Sequence, residues 1–299
     1  ARYPSTVVMT TVPAKVAGVR EVVICTPPAG TGLPHPVVLV AADIAGVDRV
    51  FTIGGAQAMA AMAYGTASVP AVDMVCGPGN LFVTLAKKLL FGEVGIDGLY
   101  GPTETLVVAD ETANPTLCAA DLLAQAEHDV MAMPVLITTS RQMAEQVSRE
   151  VETRMNRLER ADIARGAIDG RGCIAVVDDM DEALDLANEF APEHLSLMVE
   201  EPWKYVGRVR NAGAVFVGEF SHEVLGDYVG GPSHVMPTGG TARFSSGLGV
   251  HSFVKISPVL ALDDATSIQL AKSASLIARA EGFTAHAEAA EAREELQNP

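Results

Sequence analysis

The sequence predicts an α/β protein of two doubly wound domains with a helical C-terminal tail, and three observations carry that prediction. Short β-branched runs alternate with Ala-rich stretches of helical period through most of the chain. The alternation runs once, stops at Gly101-Pro102 and then restarts. The hydrophobic fraction is 48% but aromatic residues make up only 5%, so the core must be built from Ala, Val, Leu and Ile. At 299 residues the chain is long enough for two ordinary domains.

In the first half, Val22 to Cys25 reads as a strand, Pro36 to Val47 as a helix, and Arg49 to Ile53 as a strand ending in Gly54-Gly55. A helix from Ala56 to Tyr64, a strand around Met74 to Cys76 and a helix from Asn80 to Phe91 follow, the last after the turn Gly77-Pro78-Gly79. Strands joined by helices of about ten residues imply right-handed crossovers and a mostly parallel sheet. In the second half Thr105 to Ala109 is a strand. Asn114 is placed as an N-cap with Pro115 at the first helical position of a helix reaching His128. Strand Pro134 to Thr138, a long helix from Ser140 to Ile168 and strand Cys173 to Val177 come next. Helix Glu182 to Phe190 stops before Pro192, because the residue preceding a proline is pushed out of the helical region. Strand His194 to Val199, helix Pro202 to Asn211 and strand Ala214 to Val217 complete the unit. The Gly-, Ser-, His- and Pro-rich stretch from His222 to Val254 reads as a long functional loop. Beyond Asp264 the chain is helical, with Ile268, Leu270, Ala271, Ala274 and Ile277 on an apolar face and Gly282 interrupting it. The acidic, Ala-rich end cannot cover itself and is expected to pack on another subunit or on the body of the protein. The expected domains are 1–104, 105–248 and the tail 249–299.

Lys plus Arg number 21 against 37 Asp plus Glu, a net charge of −16, so neither nucleic-acid nor membrane-surface binding is expected. No run approaches the roughly 18 apolar residues of a spanning helix, and the N-terminus lacks a signal-peptide layout. The expected location is the cytoplasm. The first residues read as the middle of an α/β unit, so an upstream segment is expected to be missing. Cys25, Cys76, Cys118 and Cys173 have neither metal-site nor disulfide-framework spacing and read as buried thiols.

Polar groups able to do chemistry gather at a few places. Gln125 and His128 lie three apart on one helix face, the spacing of helical metal ligands and also of plain surface polarity. Glu193-His194 stand at a helix-to-strand junction, where the open end of a parallel sheet presents catalytic groups. Adjacent strand residues point to opposite faces, so both serve one site only if the junction is irregular. Asp227, His222, His234 and His251 give the glycine-rich loop a high density of ligand-type side chains, readable as turn chemistry or as a metal site. The turns Gly54-Gly55-Ala56-Gln57 and Gly77-Pro78-Gly79-Asn80 open helices whose N–H groups could hold a pyrophosphate, though neither matches the GxGxxG fingerprint. Cys76 is the one cysteine placed where a nucleophile could work.

In one order, Tyr3-Pro4-Ser5-Thr6-Val7, Pro13-Ala14-Lys15-Val16-Ala17-Gly18-Val19, Gly54-Gly55-Ala56-Gln57-Ala58, Gly77-Pro78-Gly79-Asn80, Gly101-Pro102-Thr103-Glu104, Gln125-Ala126-Glu127-His128-Asp129, Ala191-Pro192-Glu193-His194-Leu195, Gly226-Asp227-Tyr228 and Glu281-Gly282-Phe283-Thr284-Ala285-His286 closely resemble the histidinol dehydrogenase family. The resemblance implies two Rossmann-like domains of aldehyde dehydrogenase-like type, and a C-terminal tail that dimerises. It implies a homodimer with one Zn²⁺ per subunit that oxidises L-histidinol through L-histidinaldehyde to L-histidine with two NAD⁺. By position it assigns zinc to Gln125, His128, Asp227 and His286, the last donated by the neighbouring subunit. Glu193 and His194 take the acid/base roles. Thr103, His234 and Glu281 join the zinc ligands and the acid/base pair in contacting substrate, and Gln57 and Asn80 contact NAD⁺. The family's N-terminal segment, expected to be missing here, also contributes to the cofactor site. Two other readings stand beside this one: a zinc-binding dimer impaired in catalysis, and an aldehyde dehydrogenase-like enzyme using Cys76.

Overall fold

The computed structural model describes residues 3–30 and 32–295. In chain order they form α1 (Pro4–Val16), β1 (Val23–Cys25), α2 (Pro36–Ala45), β2 (Arg49–Phe51), α3 (Ala56–Tyr64), β3 (Met74–Val75), α4 (Leu81–Leu90) and β4 (Gly95–Ile96). Then come β5 (Glu104–Ala109), α5 (Pro115–Ala126), β6 (Met133–Thr138), α6 (Arg141–Met155), α7 (Ala161–Arg171), β7 (Cys173–Val176), α8 (Met180–Phe190), β8 (His194–Met198), α9 (Trp203–Val206), β9 (Ala214–Val217) and α10 (Glu223–Tyr228). Two helices follow, α11 (Asp264–Ala280) and α12 (Thr284–Glu295). Two units separate at 254/255, the second beginning a few residues beyond the expected start of the tail at 249.

All strand pairs are parallel. The second half forms one five-stranded sheet in the order β7-β6-β5-β8-β9, so the chain winds outward in both directions from β5 and β8. The first half carries its strands as two parallel pairs, β1 with β2 and β3 with β4. Every residue of β5 is buried, as in a central strand covered on both faces. Its side chains alternate: Val107 and Ala109 join Leu122, Leu136, Met143 and Val147 under α5 and α6, whereas Leu106 and Val108 join Leu184, Ala187, Leu195 and Leu197 under α8. Leu195 is fully buried between these layers. Leu195→Ala should therefore lower stability by about 2–5 kcal/mol, read as a lower denaturant midpoint with an unchanged slope.

Several elements depart from the sequence reading for identifiable reasons. The helix expected from Ser140 to Ile168 breaks into α6 and α7. Continuous, it would run about 40 Å, about twice the length of the strands beneath it, and the break lets Leu158 and Ile168 fold back onto the core. The helix expected over Pro202 to Asn211 shrinks to α9 because Asn188 on α8 takes the backbone beyond it. Its Oδ1 accepts from the Arg210 and Asn211 N–H groups, at 2.6 and 3.1 Å, and its Nδ2 donates to the Arg208 carbonyl at 3.0 Å. The stretch from His222 to Val254, read as loop, contains α10 and two short 3-10 turns. α1 and the two-residue β4 are additions to the sequence reading. Within the second unit, α11 buries Ala271 and Ser275, while Leu270 and Ile277 of the expected apolar face are exposed. Gly282, at φ +83°, allows the turn between α11 and α12, and the Arg279–Glu291 ion pair at 2.7 Å joins them.

Candidate active site

The site is built at the amino ends of β5 and β8, neighbouring strands paired with Thr105 opposite His194. A helix-to-strand junction is necessarily the amino end of a strand. The expectation of an open sheet end is therefore met at the edge opposite the carboxyl ends, where α/β sheets usually bind ligands.

The junction is irregular in the way that lets both of its polar side chains serve one place. Ala191, which ends α8, has φ +53° and is the one non-glycine residue with positive φ among the described residues. That conformation costs about 1–3 kcal/mol and is held by the surrounding backbone pairing. The Pro192 and Glu193 carbonyls accept from the Gly213 and Ala214 N–H groups, each at 2.9 Å. Glu193 Oε2 thereby comes within 3.8 Å of His194 Nδ1.

Thr103 donates its hydroxyl to Glu193 Oε2 at 2.5 Å, and the Glu104 N–H donates to the same oxygen at 3.2 Å. In the last turn of α5, buried Gln125 donates Nε2–H to the Thr103 hydroxyl and lies 3.2 Å from His194 Nδ1. Across the imidazole, Nε2 faces Asp227 Oδ1 of α10 at 3.5 Å. The ring stacks on Phe216 with centroids 5.8 Å apart. Gly226 is required beside it, because a Cβ there would sit 2.7 Å from the Phe216 ring. His234 is fixed by its ring nitrogens: Nδ1–H donates to the Asp227 carbonyl at 3.0 Å, leaving Nε2 to accept from the Thr6 hydroxyl at 2.9 Å. Thr103, Gln125, Glu193, His194, Asp227 and His234 thus form one connected cluster.

His194 is 3% exposed. Burial alone would pull its imidazole down, but the facing Asp227 and the charges of Glu193 and Glu223 outweigh it and hold the pKa at about 10. Burial pushes the Glu193 carboxyl up against the pull of His194 and the Thr103 and Glu104 donors. At Asp227 burial also acts upward, but His194, His234 and His128 prevail and the carboxyl is lowered. His128 lies just beyond α5, exposed in this chain; desolvation of its ring lowers its pKa despite the charges of Asp227 and Glu127.

Two buried carboxyls in this cluster are not singled out by the sequence reading. Glu104 Oε1 accepts from the Gly239 N–H at 2.9 Å, its Oε2 has no partner among the described residues, and burial raises it to about 7. Glu223, only 1% exposed, accepts the Thr105 hydroxyl and is pushed up to about 8 by burial. A signal was available: Glu104-Thr105 opens an otherwise apolar strand, and acidic residues there are buried as a matter of register.

No group of three or more His, Cys, Asp or Glu side chains among the described residues is arranged to hold a metal ion. Gln125 falls outside that residue set. His128 and Asp227 are electrostatically coupled, and both Gln125 and Asp227 border His194. An amide oxygen, an imidazole nitrogen and a carboxylate oxygen are a donor set that suits zinc, as three of its four usual protein positions. His286 and Glu281 belong to the second unit, where the His286 ring lies 5.3 Å from that of Phe283.

Gln57 and Asn80 occupy the expected strand-to-helix turns at the starts of α3 and α4, both exposed. Cys76 is a poor nucleophile here, since burial and the charge of Asp97 push its thiol well above the ordinary value. Thr103 gives a direct check on these contacts. Thr103→Ser should be near neutral, whereas Thr103→Val removes a donor from buried Glu193 and should lower stability by about 1–3 kcal/mol, read in the denaturant midpoint.

A sequence model described as histidinol dehydrogenase matches residues 1–294. A histidinol dehydrogenase of Dehalococcoides mccartyi is 55% identical over 289 residues, 96% of this chain and 66% of that protein. One from Thermus thermophilus is 53% identical, covering 97% of this chain and 69% of its own. The crystal structure of histidinol dehydrogenase from Elizabethkingia anophelis superposes with a TM-score of 0.95 at 37% identity, over 100% of this chain and 69% of that one. The chain thus spans 66% of the length of the first of these relatives.

Proposed function

Because the chain belongs to the histidinol dehydrogenase family, we propose that it serves histidine biosynthesis by oxidising L-histidinol through L-histidinaldehyde to L-histidine, passing two hydrides to two NAD⁺. The observation that carries this reading is the cluster in which Thr103, Gln125 and Asp227 surround the adjacent Glu193 and His194 at the amino ends of β5 and β8.

In the first step the alcohol C–H hydride goes to nicotinamide while His194 takes the hydroxyl proton. Held at about 10 in this structure, His194 rests protonated and must release that proton before it can act as base. A zinc ion held by Gln125, His128 and Asp227, with His286 of a second copy as fourth ligand, would orient the substrate's imidazole and amine and draw the Asp227 charge away from His194. In the second step Glu193 accepts a proton from the water that adds to the aldehyde while protonated His194 returns its proton to the carbonyl oxygen, giving the hydrate. As the second hydride leaves for NAD⁺, a hydrate hydroxyl gives its proton to His194. Its raised carboxyl makes it a stronger base for that task. His234 and Thr103 border the substrate, Glu281 of the tail reaches it in the dimer, and Gln57 and Asn80 contact the nucleotide.

The test is to load the chain with zinc and follow NADH and histidine from L-histidinol. Two NADH per histidine is the expected stoichiometry. Zinc binding without any NADH would favour the non-catalytic dimer instead. Cys76→Ala should turn over normally, and loss of activity there would revive the covalent route.

A further inference from the structure

A second buried polar network lies at the turn between β3 and α4, and Tyr100, whose hydroxyl feels the charges of both Asp97 and Glu193, stands between it and the first. Lys87 on α4 and Asp97 just after β4 form an ion pair whose side chains are 3% and 0% exposed. The pair does not stop at itself. Lys87 Nζ donates to the Gly77 carbonyl at 3.1 Å, and Asp97 Oδ2 accepts from the Gly77 N–H at 2.6 Å. Both backbone polar groups of one residue are therefore held by the two members of a buried ion pair. Asp97 Oδ1 also accepts from the Gly98 N–H at 2.9 Å, and the Lys87 ammonium lies 4.7 Å from the centroid of the Tyr100 ring. Thr84 completes the attachment by donating to the Tyr100 carbonyl at 2.8 Å.

Gly77 is gripped at φ +105°, a conformation that only glycine adopts without strain. The turn it starts runs through Gly79, where a Cβ would lie 2.4 Å from Val83, to Asn80. Asn80 Oδ1 caps α4 by accepting from the Val83 N–H at 3.2 Å, which leaves its Nδ2 as the free donor. A buried ion pair adds little net stability after desolvation, and its best-attested use is to specify one arrangement.

We propose that Lys87 and Asp97 are positioning residues that fix the Gly77–Asn80 turn so that Asn80 Nδ2 meets an acceptor oxygen on the dinucleotide. This rests on the reading of Asn80 as a nucleotide contact. Neither Lys87 nor Asp97 touches the nucleotide. Their effect is transmitted through Gly77, so it appears in cofactor affinity and not in substrate affinity or in the proton-transfer steps.

The experiment compares NADH binding by fluorescence, the KM for NAD⁺, the KM for histidinol and kcat in three forms of the zinc-loaded full chain: unaltered, Asn80→Asp, and the charge-free double variant Lys87→Met/Asp97→Asn. Single replacements are avoided because each would leave a buried charge without its partner. Asp caps a helix as well as Asn but cannot donate and adds a charge, so Asn80→Asp tests whether this side chain faces the anionic nucleotide. Both variants should weaken NADH roughly tenfold, the loss of one hydrogen bond, and the double variant should leave histidinol KM and kcat at saturating NAD⁺ unchanged. If Asn80→Asp weakens NADH and the double variant does not, the positioning role is overturned while the cofactor reading survives. If neither weakens it, or the unaltered chain binds none, both fall. A double variant that loses kcat and histidinol affinity in equal measure shows a merely structural pair. Should it fail to fold, hydrogen exchange on the unaltered chain decides. The Gly77 amide should be protected without nucleotide and the 77–80 segment protected further by NADH. Rapid exchange of Gly77 in the absence of NADH overturns the proposal.

Discussion

Replacing Glu193 by Gln is expected to slow histidinaldehyde oxidation by about 10²–10⁴-fold while leaving bound zinc unchanged. The amide is nearly the same shape, and its oxygen can still accept from the Thr103 hydroxyl and the Glu104 N–H. What it loses is basicity, which burial has raised in the carboxylate. Hydration of the aldehyde needs a proton acceptor, so that step should fail, whereas oxidation of the alcohol, for which His194 is the proposed base, should be affected less. Single-turnover assays started from histidinol and from histidinaldehyde separate the two steps. Equal rates of aldehyde oxidation in both proteins would remove Glu193 from the role. A loss of zinc in the variant would mean that the effect belongs to folding or metal retention.

His128→Ala is the second large effect. His128 has no hydrogen-bonded role for its ring among the described residues, and its backbone N–H donates to the Gln125 carbonyl regardless of side chain. The fold should therefore tolerate the change. Loss of an imidazole ligand should weaken zinc by more than the roughly 10–100-fold typical of groups that only support a ligand, and turnover should fall in step. Metal content by mass spectrometry, read beside NADH production, tests this. Full activity in zinc-free His128→Ala protein would refute the metal assignment.

Much of this was legible in the sequence where one local rule decided the outcome. Asn114 caps α5 through the Thr116 N–H with Pro115 following, as cap chemistry requires, whereas α2, read as running to Val47, stops earlier at a left-handed Gly46. The β-branched, apolar run from Thr105 to Ala109 reads as a strand and is one, and the structure adds that it is covered on both faces. The break between α6 and α7 was not legible, because both segments have good helix formers and only the length of the sheet stops them. The fate of residues 207–211 depended on Asn188, some twenty positions away. In the site, Glu193, His194 and Asp227 were visible as residue types in suspicious places, and the structure adds the left-handed Ala191 that turns Glu193 toward His194. Glu104 carried a signal in its place at the head of an apolar strand, whereas Glu223 carried none, because its burial is set by where α10 packs. The Lys87–Asp97 pair was hidden for the same reason, since its partners meet only when β4 returns beside β3.

Gln125, His128 and Asp227 are expected to draw a divalent cation to the side of Glu193 and His194. Anomalous diffraction at the zinc absorption edge, from crystals of the chain grown with zinc and histidinol, tests it most directly. The expected result is a peak bonded to Gln125, His128 and Asp227, with His286 of a second copy completing the set and substrate density reaching toward His194. A fully occupied zinc elsewhere, with that pocket holding substrate and no metal, would contradict it.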